Sequence, residues 1–209
     1  EMARTLFRDF AQKEVAPLAV EIDENHRFPT ETLKKMQQNG FMGIPFSKEW
    51  GGQGCDYLTY VLAVEEISKV CGTTGVILSA HTSLGAGAIN QLGTPEQKEK
   101  FLRPLVDGRK LGAFALTEPD AGTDAAGKQT KAVLDGDEWV INGNKIFITN
   151  AGYSEIYVVF ANTDKAAGPK GMSAFIVEKG TPGFNFGKAE VKMGIRASIQ
   201  RELHFENCR

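Results

Sequence analysis

Two short segments in the second half of the chain carry residue types that could hold a ligand. The first, residues 114–124, is an apolar stretch that runs into a turn rich in hydroxyls, carboxylates, proline and glycine. Gly122 would let the backbone approach a ligand closely, and the hydroxyls of Thr117 and Thr123 can donate or accept hydrogen bonds. The same composition is typical of a plain strand-to-loop exit. The segment is not a GxGxxG turn that opens a helix, so it does not favour a Rossmann domain.

The second segment, residues 142–150, combines a turn signal with an aromatic residue and a hydroxyl. Asn142–Gly143 predicts a tight hairpin turn. In the strand that follows, side-chain alternation places Phe147 and Thr149 on the same face. Such a pair could set a ring against a flat cofactor and a hydroxyl at its polar edge. A β-hairpin with a core phenylalanine fits this segment as well.

The elements that must position these segments change character near residue 110. Before it, apolar residues recur at helical spacing, Asp56 is placed to cap one helix, and Thr94 with Gln97 forms a capping box for another. After it, short strands alternate with glycine-rich turns. The sequence therefore predicts a multi-domain α+β protein, with an N-terminal α-helical domain at 1–110 and an antiparallel β-barrel or sandwich domain at 111–209.

Individual elements can be predicted from the same patterns. The first helix should turn Leu6 and Ile22 inward and bend or break at Pro17, and Thr30 should cap the second helix. Asp135–Gly136 predicts a hairpin turn. The predicted strands span residues 111–117, 129–134, 138–141, 145–149, 156–161, 173–178 and 202–205.

Composition excludes several classes of function. The 209 residues carry a formal net charge of −2 without a long basic block, which argues against a nucleic-acid surface and a polybasic membrane anchor. No apolar run approaches the ~18 residues of a membrane-spanning helix. The three cysteines and three histidines show no metal-ligand spacing, and free thiols fit a reducing compartment. The chain opens at Glu1 without an initiator methionine, so the absence of a targeting signal means little.

Taken together, the motifs resemble the acyl-CoA dehydrogenase family along essentially all 209 residues. The resemblance rests mainly on two motifs. They are Ala-Leu-Thr-Glu-Pro-x-Ala-Gly-Thr-Asp and, about two dozen residues later, Ile-Asn-Gly-x-Lys-Ile-Phe-Ile-Thr-Asn. Residues 72–81 are most similar to the short-chain, butyryl-CoA type of the family. Further stretches similar to family motifs are residues 46–54, 92–98 and 192–198.

The resemblance implies a cofactor, FAD, lying against the β domain, and it implies a role for individual residues. Thr117 would bond the pyrimidine side of the flavin, Phe147 would pack on the ring system, and Thr149 would bond near N5. Thr123 would meet both the flavin and the substrate thioester. The full set of implied cofactor contacts is Phe114, Leu116, Thr117, Gly122, Thr123, Phe147, Ile148 and Thr149.

Other implied roles concern the substrate and two departures from the family pattern. Leu84 and Gly87 are candidates to set the depth of an acyl-chain pocket, although an ordinary small-residue helix explains them equally well. Phe147 stands where many members carry tryptophan, which keeps the flat face but loses the indole N–H. Asp120 adds a negative charge beside Glu118, and Glu118 itself is predicted to bond turn N–H groups rather than act as a base.

The activity that the resemblance implies is oxidation of a short-chain acyl-CoA thioester, butyryl-CoA, to trans-2-enoyl-CoA. Electrons would leave through an electron-transfer flavoprotein, or the reaction would run in reverse in an anaerobe. The base would be a glutamate in the family's C-terminal four-helix domain, which is absent from this chain, so no catalytic residue is assigned and the chain alone is not expected to turn over. The full-length protein would be a homotetramer in the bacterial cytoplasm or the mitochondrial matrix.

Two alternatives stay open at this point. An acyl-CoA oxidase uses the same architecture but reacts rapidly with oxygen. A non-catalytic module that binds FAD or a CoA ester would fit a protein that contains only these two domains.

Overall fold

A computed structural model describes all residues from 1 to 209, and the chain forms two compact units. The first unit consists of Glu1–Gly112 together with Val191–Ile199. The second consists of Ala113–Glu190 together with Gln200–Arg209. The predicted order, a helical domain followed by a β domain, is confirmed.

The helical unit opens with a helix that continues past its proline. Helix α1 (Met2–Phe10) passes through a π-helical turn (Ala11–Val15) into α2 (Ala16–Glu24). Pro17 lies in the first turn of α2, where its missing N–H is tolerated because a widened turn precedes it. The predicted inward orientation of Leu6 is wrong: its side chain is 58% exposed, and Phe7 occupies the core position instead.

The remaining helices show which local signals were reliable. Asp56 accepts a hydrogen bond from the Thr59 N–H at 2.8 Å, and Thr94 with Gln97 forms the predicted capping box. The predicted cap at Thr30 is wrong, because Thr30 is the first helical residue and makes no capping bond. These helices are α3 (Thr30–Gln38), α4 (Tyr57–Val70), α5 (Gly72–Ser79), α6 (Gly87–Leu92), α7 (Pro95–Gln97) and α8 (Arg103–Val106), with π-helical turns at Ala80–Ala86 and Lys98–Leu102. None of the helices has the length and apolarity needed to cross a bilayer.

The β unit is a seven-stranded mixed sheet. Its order is β1-β4-β2-β3-β7-β6, and β5 pairs with β4. The pairs β2–β3, β3–β7, β4–β5 and β6–β7 are antiparallel, whereas β2 and β4 are parallel at a single residue pair. The strands are β1 (Gly112–Ala115), β2 (Lys131–Asp135), β3 (Glu138–Thr149), β4 (Ile156–Asn162), β5 (Met172–Glu178), β6 (Phe184–Ala189) and β7 (Gln200–Cys208).

One predicted hairpin turn is real and the other is not. Asp135–Gly136 connects β2 to β3, as predicted. Asn142–Gly143 instead lies within the unbroken strand β3, at a register shift against β7. Gly143 has φ +147°, and a Cβ there would come within 2.5 Å of the Thr130 hydroxyl oxygen. The glycine therefore serves a β-bulge and a close approach of neighbouring strands rather than a turn.

Candidate functional site

The two motif segments meet in the β unit through a backbone hydrogen bond. The backbone N–H of Ile146, in β3, donates a hydrogen bond to the carbonyl oxygen of Thr117 at 3.0 Å. Thr149 follows Ile146 three residues further along β3, beyond the register shift between Lys145 and Ile148. Thr117 and Thr149 are both half-buried, so neither residue is sealed in the core of the unit.

A buried ion pair joins the same two segments. Lys145 is fully buried and Glu118 is 4% exposed. The Lys145 Nζ donates to Glu118 Oε1 at 2.7 Å and to the Leu116 carbonyl oxygen at 3.3 Å. The Glu118 carboxylate also accepts the backbone N–H groups of Gln129 at 2.5 Å and Thr130 at 3.2 Å. The predicted structural role of Glu118 is confirmed, because its carboxylate is engaged by the turn and the lysine.

The charges of this pair follow from its surroundings. Burial alone would raise the pKa of Glu118, but hydrogen bonds from Lys145, Gln129 and Thr130 outweigh it and hold that pKa below its usual value. Burial lowers the pKa of Lys145, and the hydrogen bond to Glu118 opposes that shift. The sequence motif Ile-Asn-Gly-x-Lys contains Lys145 but does not predict its ion pair. Its partner Glu118 is 27 positions away in the sequence, so no local pattern links the two residues.

Phe147 combines backbone strain with an exposed ring. Its φ is +58°, in the left-handed region, and it lies at a register shift of β3 against β7 between Lys145 and Ile148. Such a conformation costs a bulky residue on the order of 1–3 kcal/mol. The side chain is nevertheless 56% exposed. A large apolar ring that is strained in place and left uncovered indicates a surface built to receive a ligand.

The residues that follow Phe147 divide between the core and the surface. Ile148 is 2% exposed and packs in the β-unit core, so any contact it makes with a cofactor would go through its backbone. The Thr149 hydroxyl oxygen accepts a hydrogen bond from the Gln200 side-chain amide at 3.1 Å. A hydroxyl both accepts and donates, so this bond orients the oxygen and leaves its hydrogen to a further acceptor.

The turn after β1 presents the remaining predicted contacts. Backbone hydrogen bonds in both directions between Glu118 and Ala121, each 3.1 Å, close the turn. Beyond it, Gly122 and Thr123 are exposed, and no protein atom lies within 4 Å of a Cβ built at Gly122. Phe114 and Leu116, earlier in the segment, are half-buried. The open backbone at Gly122, the exposed Phe147 ring and the two half-buried threonines fit a flat cofactor with a polar edge.

The predicted acyl-pocket residues lie in the helical unit. Leu84 is 43% exposed in the π-helical turn Ala80–Ala86. Gly87 is buried, and a Cβ there would come 3.2 Å from the Thr82 carbonyl oxygen. His81, in the same turn, is fully buried, and its Nδ1 accepts the Gly112 N–H at 2.9 Å. Burial lowers the pKa of His81 to about 4, so it is neutral at pH 7.

Comparison with known proteins identifies the architecture. Residues 1–109 match the model of the acyl-CoA dehydrogenase N-terminal domain, and residues 113–208 match that of the middle domain. A short-chain specific acyl-CoA dehydrogenase from Clostridium acetobutylicum is 62% identical over 99% of this chain and 55% of its own length. The helical unit, the β unit and these matches define a dehydrogenase-type architecture. The chain belongs to the acyl-CoA dehydrogenase family.

Solved structures agree with this assignment. Butyryl-CoA dehydrogenase from Megasphaera elsdenii has a TM-score of 0.95 and 48% identity over 99% of this chain and 55% of its own. A structure described as the electron transferring flavoprotein of Acidaminococcus fermentans contains a chain with a TM-score of 0.97 and 53% identity, over 99% and 55% of the two chains. An acyl-CoA dehydrogenase from Bacillus anthracis, described as complexed with FAD, has a TM-score of 0.91 and 36% identity, over 99% and 35%.

The match has a defined extent. The chain spans about half the length of the curated relative and of the butyryl-CoA dehydrogenase structure named above, at 55% in the Clostridium acetobutylicum and Megasphaera elsdenii proteins. Both matched family models describe regions of the family other than its C-terminal part.

Proposed function

We propose that the protein containing this chain oxidises short-chain acyl-CoA thioesters, butyryl-CoA above all, to trans-2-enoyl-CoA, with FAD held on the β unit. The observation that carries the proposal is the juxtaposition of Thr117 with the exposed Phe147 and the half-buried Thr149, tied by the Ile146 N–H to Thr117 carbonyl bond. The 62% identity to a short-chain specific relative supports the substrate class.

The proposed roles of the chain's residues follow from their chemistry. FAD, when bound, supplies an acceptor for the hydride that leaves the substrate's β carbon. The Thr117 and Thr149 hydroxyls donate hydrogen bonds to the polar edge of the cofactor, where fixed donors favour negative charge. Phe147 covers one face of the ring system and keeps water from it. The backbone at Gly122 approaches the cofactor without steric hindrance.

Three residues of the chain are proposed to contact the substrate. The exposed Thr123 hydroxyl would donate to the thioester carbonyl and so make the α proton more acidic. The exposed Leu84 side chain, together with Gly87, would line the acyl chain. Leu84 stands in a π-helical turn, a feature that is frequent at functional sites.

We assign the catalytic base to none of the residues in this chain. Glu118 is the buried carboxylate nearest to the proposed cofactor contacts in sequence, but it already accepts hydrogen bonds from Lys145, Gln129 and Thr130. A base must be able to receive a substrate proton. We therefore propose that a glutamate outside residues 1–209, in the portion of the family that this chain does not match, acts as the base.

The electron acceptor is proposed to be an electron-transfer flavoprotein. The structure of Acidaminococcus fermentans that is described by that name contains a chain 53% identical to this one. Assembly as a homotetramer and placement in the cytoplasm of a bacterium, or in the mitochondrial matrix of a eukaryote, are part of the same proposal.

The test uses the full-length polypeptide. It should purify yellow, and butyryl-CoA added without oxygen should bleach the flavin absorbance more completely than C16 acyl-CoA does. Added electron-transfer flavoprotein should restore the colour. A colourless protein that refuses FAD, or one that no C4 to C16 acyl-CoA bleaches, would overturn the proposal. Rapid peroxide formation by the reduced, product-bound protein would instead identify an acyl-CoA oxidase.

A further inference from the structure

One buried side chain contacts the backbone or side chain on both sides of Thr117. The Lys145 Nζ donates to the Leu116 carbonyl oxygen and to Glu118 Oε1, the residues before and after Thr117. The next residue of β3, Ile146, donates its N–H to the Thr117 carbonyl oxygen. Two consecutive residues of one strand thus hold three consecutive residues of the turn.

We propose that Lys145 is a positioning residue for the cofactor site, which holds the turn at Thr117 against β3 so that the Thr117 hydroxyl stays at the flavin edge. The inference rests on the proposed function, because it gives Thr117 a cofactor to bond. Lys145 is fully buried, so it acts through the turn and not by touching the ligand.

Stability alone does not account for a lysine at this place. A buried ion pair loses its hydration, and replacing such a pair by apolar groups of similar volume is often neutral or stabilising. What a buried pair does supply is directional geometry: an ammonium has three donors, and two of those of Lys145 bond to residues that flank Thr117. A hydrophobic side chain could fill the volume but could not fix the turn at these atoms.

The Lys145 contacts can be removed by a double substitution that keeps the net charge of the turn unchanged. Lys128, also buried, donates from its Nζ to the Ala125 carbonyl oxygen and lies near Glu118. Replacing Glu118 by Gln and Lys145 by Met removes one negative and one positive charge, so the net charge of the turn is unchanged. The glutamine keeps a carbonyl oxygen for the N–H groups of Gln129 and Thr130. The double variant therefore removes the Lys145 contacts, and the buried Lys128 keeps Asp124 as a nearby carboxylate.

The experiment is a double-mutant cycle, in which the FAD affinity of each full-length variant is measured. Thr117→Val, which removes the hydroxyl, is made in the parent and in the E118Q/K145M background. In the parent it should weaken FAD binding by roughly three- to tenfold, the value of one hydrogen bond. In the E118Q/K145M background the same change should cost less than about twofold, because interacting sites are non-additive.

A matched control separates positioning from a general loss of lysine. Lys131→Met removes an exposed lysine of β2 in the same unit, and there Thr117→Val should keep its full effect. If E118Q/K145M does not fold, E118Q/K145L, which removes the same two charges and the same donors, takes its place in the cycle.

The outcomes are distinct. Equal weakening by Thr117→Val in both backgrounds overturns the positioning role of Lys145 and leaves the proposed function intact. A Thr117→Val variant that binds FAD like the parent also overturns the positioning role, and it removes the Thr117 contact from the proposed site while FAD binding itself remains. A parent protein that does not bind FAD at all removes the proposed function, and the positioning role falls with it.

Discussion

At the scale of the residue, the most informative feature is a phenylalanine in a backbone conformation that suits glycine. Two bulky residues have positive φ, Phe147 at +58° and Ile195 at +50°. The strain at Phe147 persists because its neighbours fix both sides: Lys145 is tied to the turn after β1 and Ile148 is in the core. Strain that a fold retains at an exposed aromatic points to a function for that side chain.

The change Phe147→Gly should separate stability from cofactor binding. Glycine relieves the left-handed strain, and its extra freedom in the unfolded chain costs about 0.5–1 kcal/mol. We therefore expect the free energy of unfolding to stay the same or rise by up to about 1 kcal/mol. FAD affinity should fall roughly tenfold as the aromatic packing is lost. Denaturant titration and flavin fluorescence measure the two quantities.

Ile195→Gly is the matched control for this prediction. It relieves a similar strain in the segment that packs with the helical unit, so it should affect stability similarly while leaving FAD affinity unchanged. A Phe147→Gly protein that binds FAD as tightly as the parent would show that the ring does not cover the flavin.

At the scale of the element, local chemistry predicted most boundaries, and tertiary contacts decided the rest. The caps at Asp56 and Thr94 were predictable because each side chain bonds an N–H three residues away. Asn142–Gly143 does not form the predicted turn. The positive φ of Gly143 instead allows a β-bulge, at which Thr130 lies too close for any side chain. Strand β6, residues 184–189, was not predicted at all. Its sequence, Phe-Asn-Phe-Gly-Lys-Ala, contains a strand-breaking glycine, and it is defined by pairing with β7.

The packing of α1 on α4 offers a prediction at this scale. The Glu66 side chain is 2% exposed and bonds Arg4 at 2.6 Å, Arg8 at 3.1 Å and Lys69 at 2.9 Å. Hydrogen bonds from Arg8, Lys69 and Arg4 hold the pKa of Glu66 at about 2. Glu66→Ala should therefore lower the melting temperature of the helical unit by several degrees, because three cations lose their shared acceptor.

Glu65→Ala is the control for that variant. Glu65 is one residue away, 42% exposed, and pairs with Arg4 and Lys69, so as a surface partner it should change the melting temperature little. The melting temperatures are measured by circular dichroism. Equal shifts in melting temperature for the two variants would mean that the Glu66 cluster does not hold α1 on α4.

At the scale of the whole molecule, the change of period near residue 110 predicted a helical part and a β part, but not the path of the chain between them. Residues 191–199 belong to the helical unit, where Asp23 accepts the Arg196 N–H at 2.9 Å and its guanidinium at 2.6 Å. Ala197 and Ile199 lie in the core of that unit. The return of residues 191–199 to the helical unit depends on a partner more than 170 positions away, which no local sequence pattern reveals. The two candidate segments, by contrast, can be found in the sequence because each motif is short and contiguous.

The stability of the molecule should depend on pH through one buried histidine. Burial holds the pKa of His81 at about 4, against about 6.5 when unfolded, so the unfolded chain binds more protons between these values. The stability that the neutral, buried His81 contributes to the folded state is fully present above about pH 6.5 and is lost as the pH falls towards 4. The loss of stability should amount to about 2 kcal/mol at pH 5 relative to pH 7.5.

His81→Asn should flatten this pH dependence in denaturant titrations at the two pH values, whereas His26→Asn, at an exposed site, should retain it. An unchanged pH dependence in His81→Asn would show that this imidazole does not control the acid sensitivity of the fold.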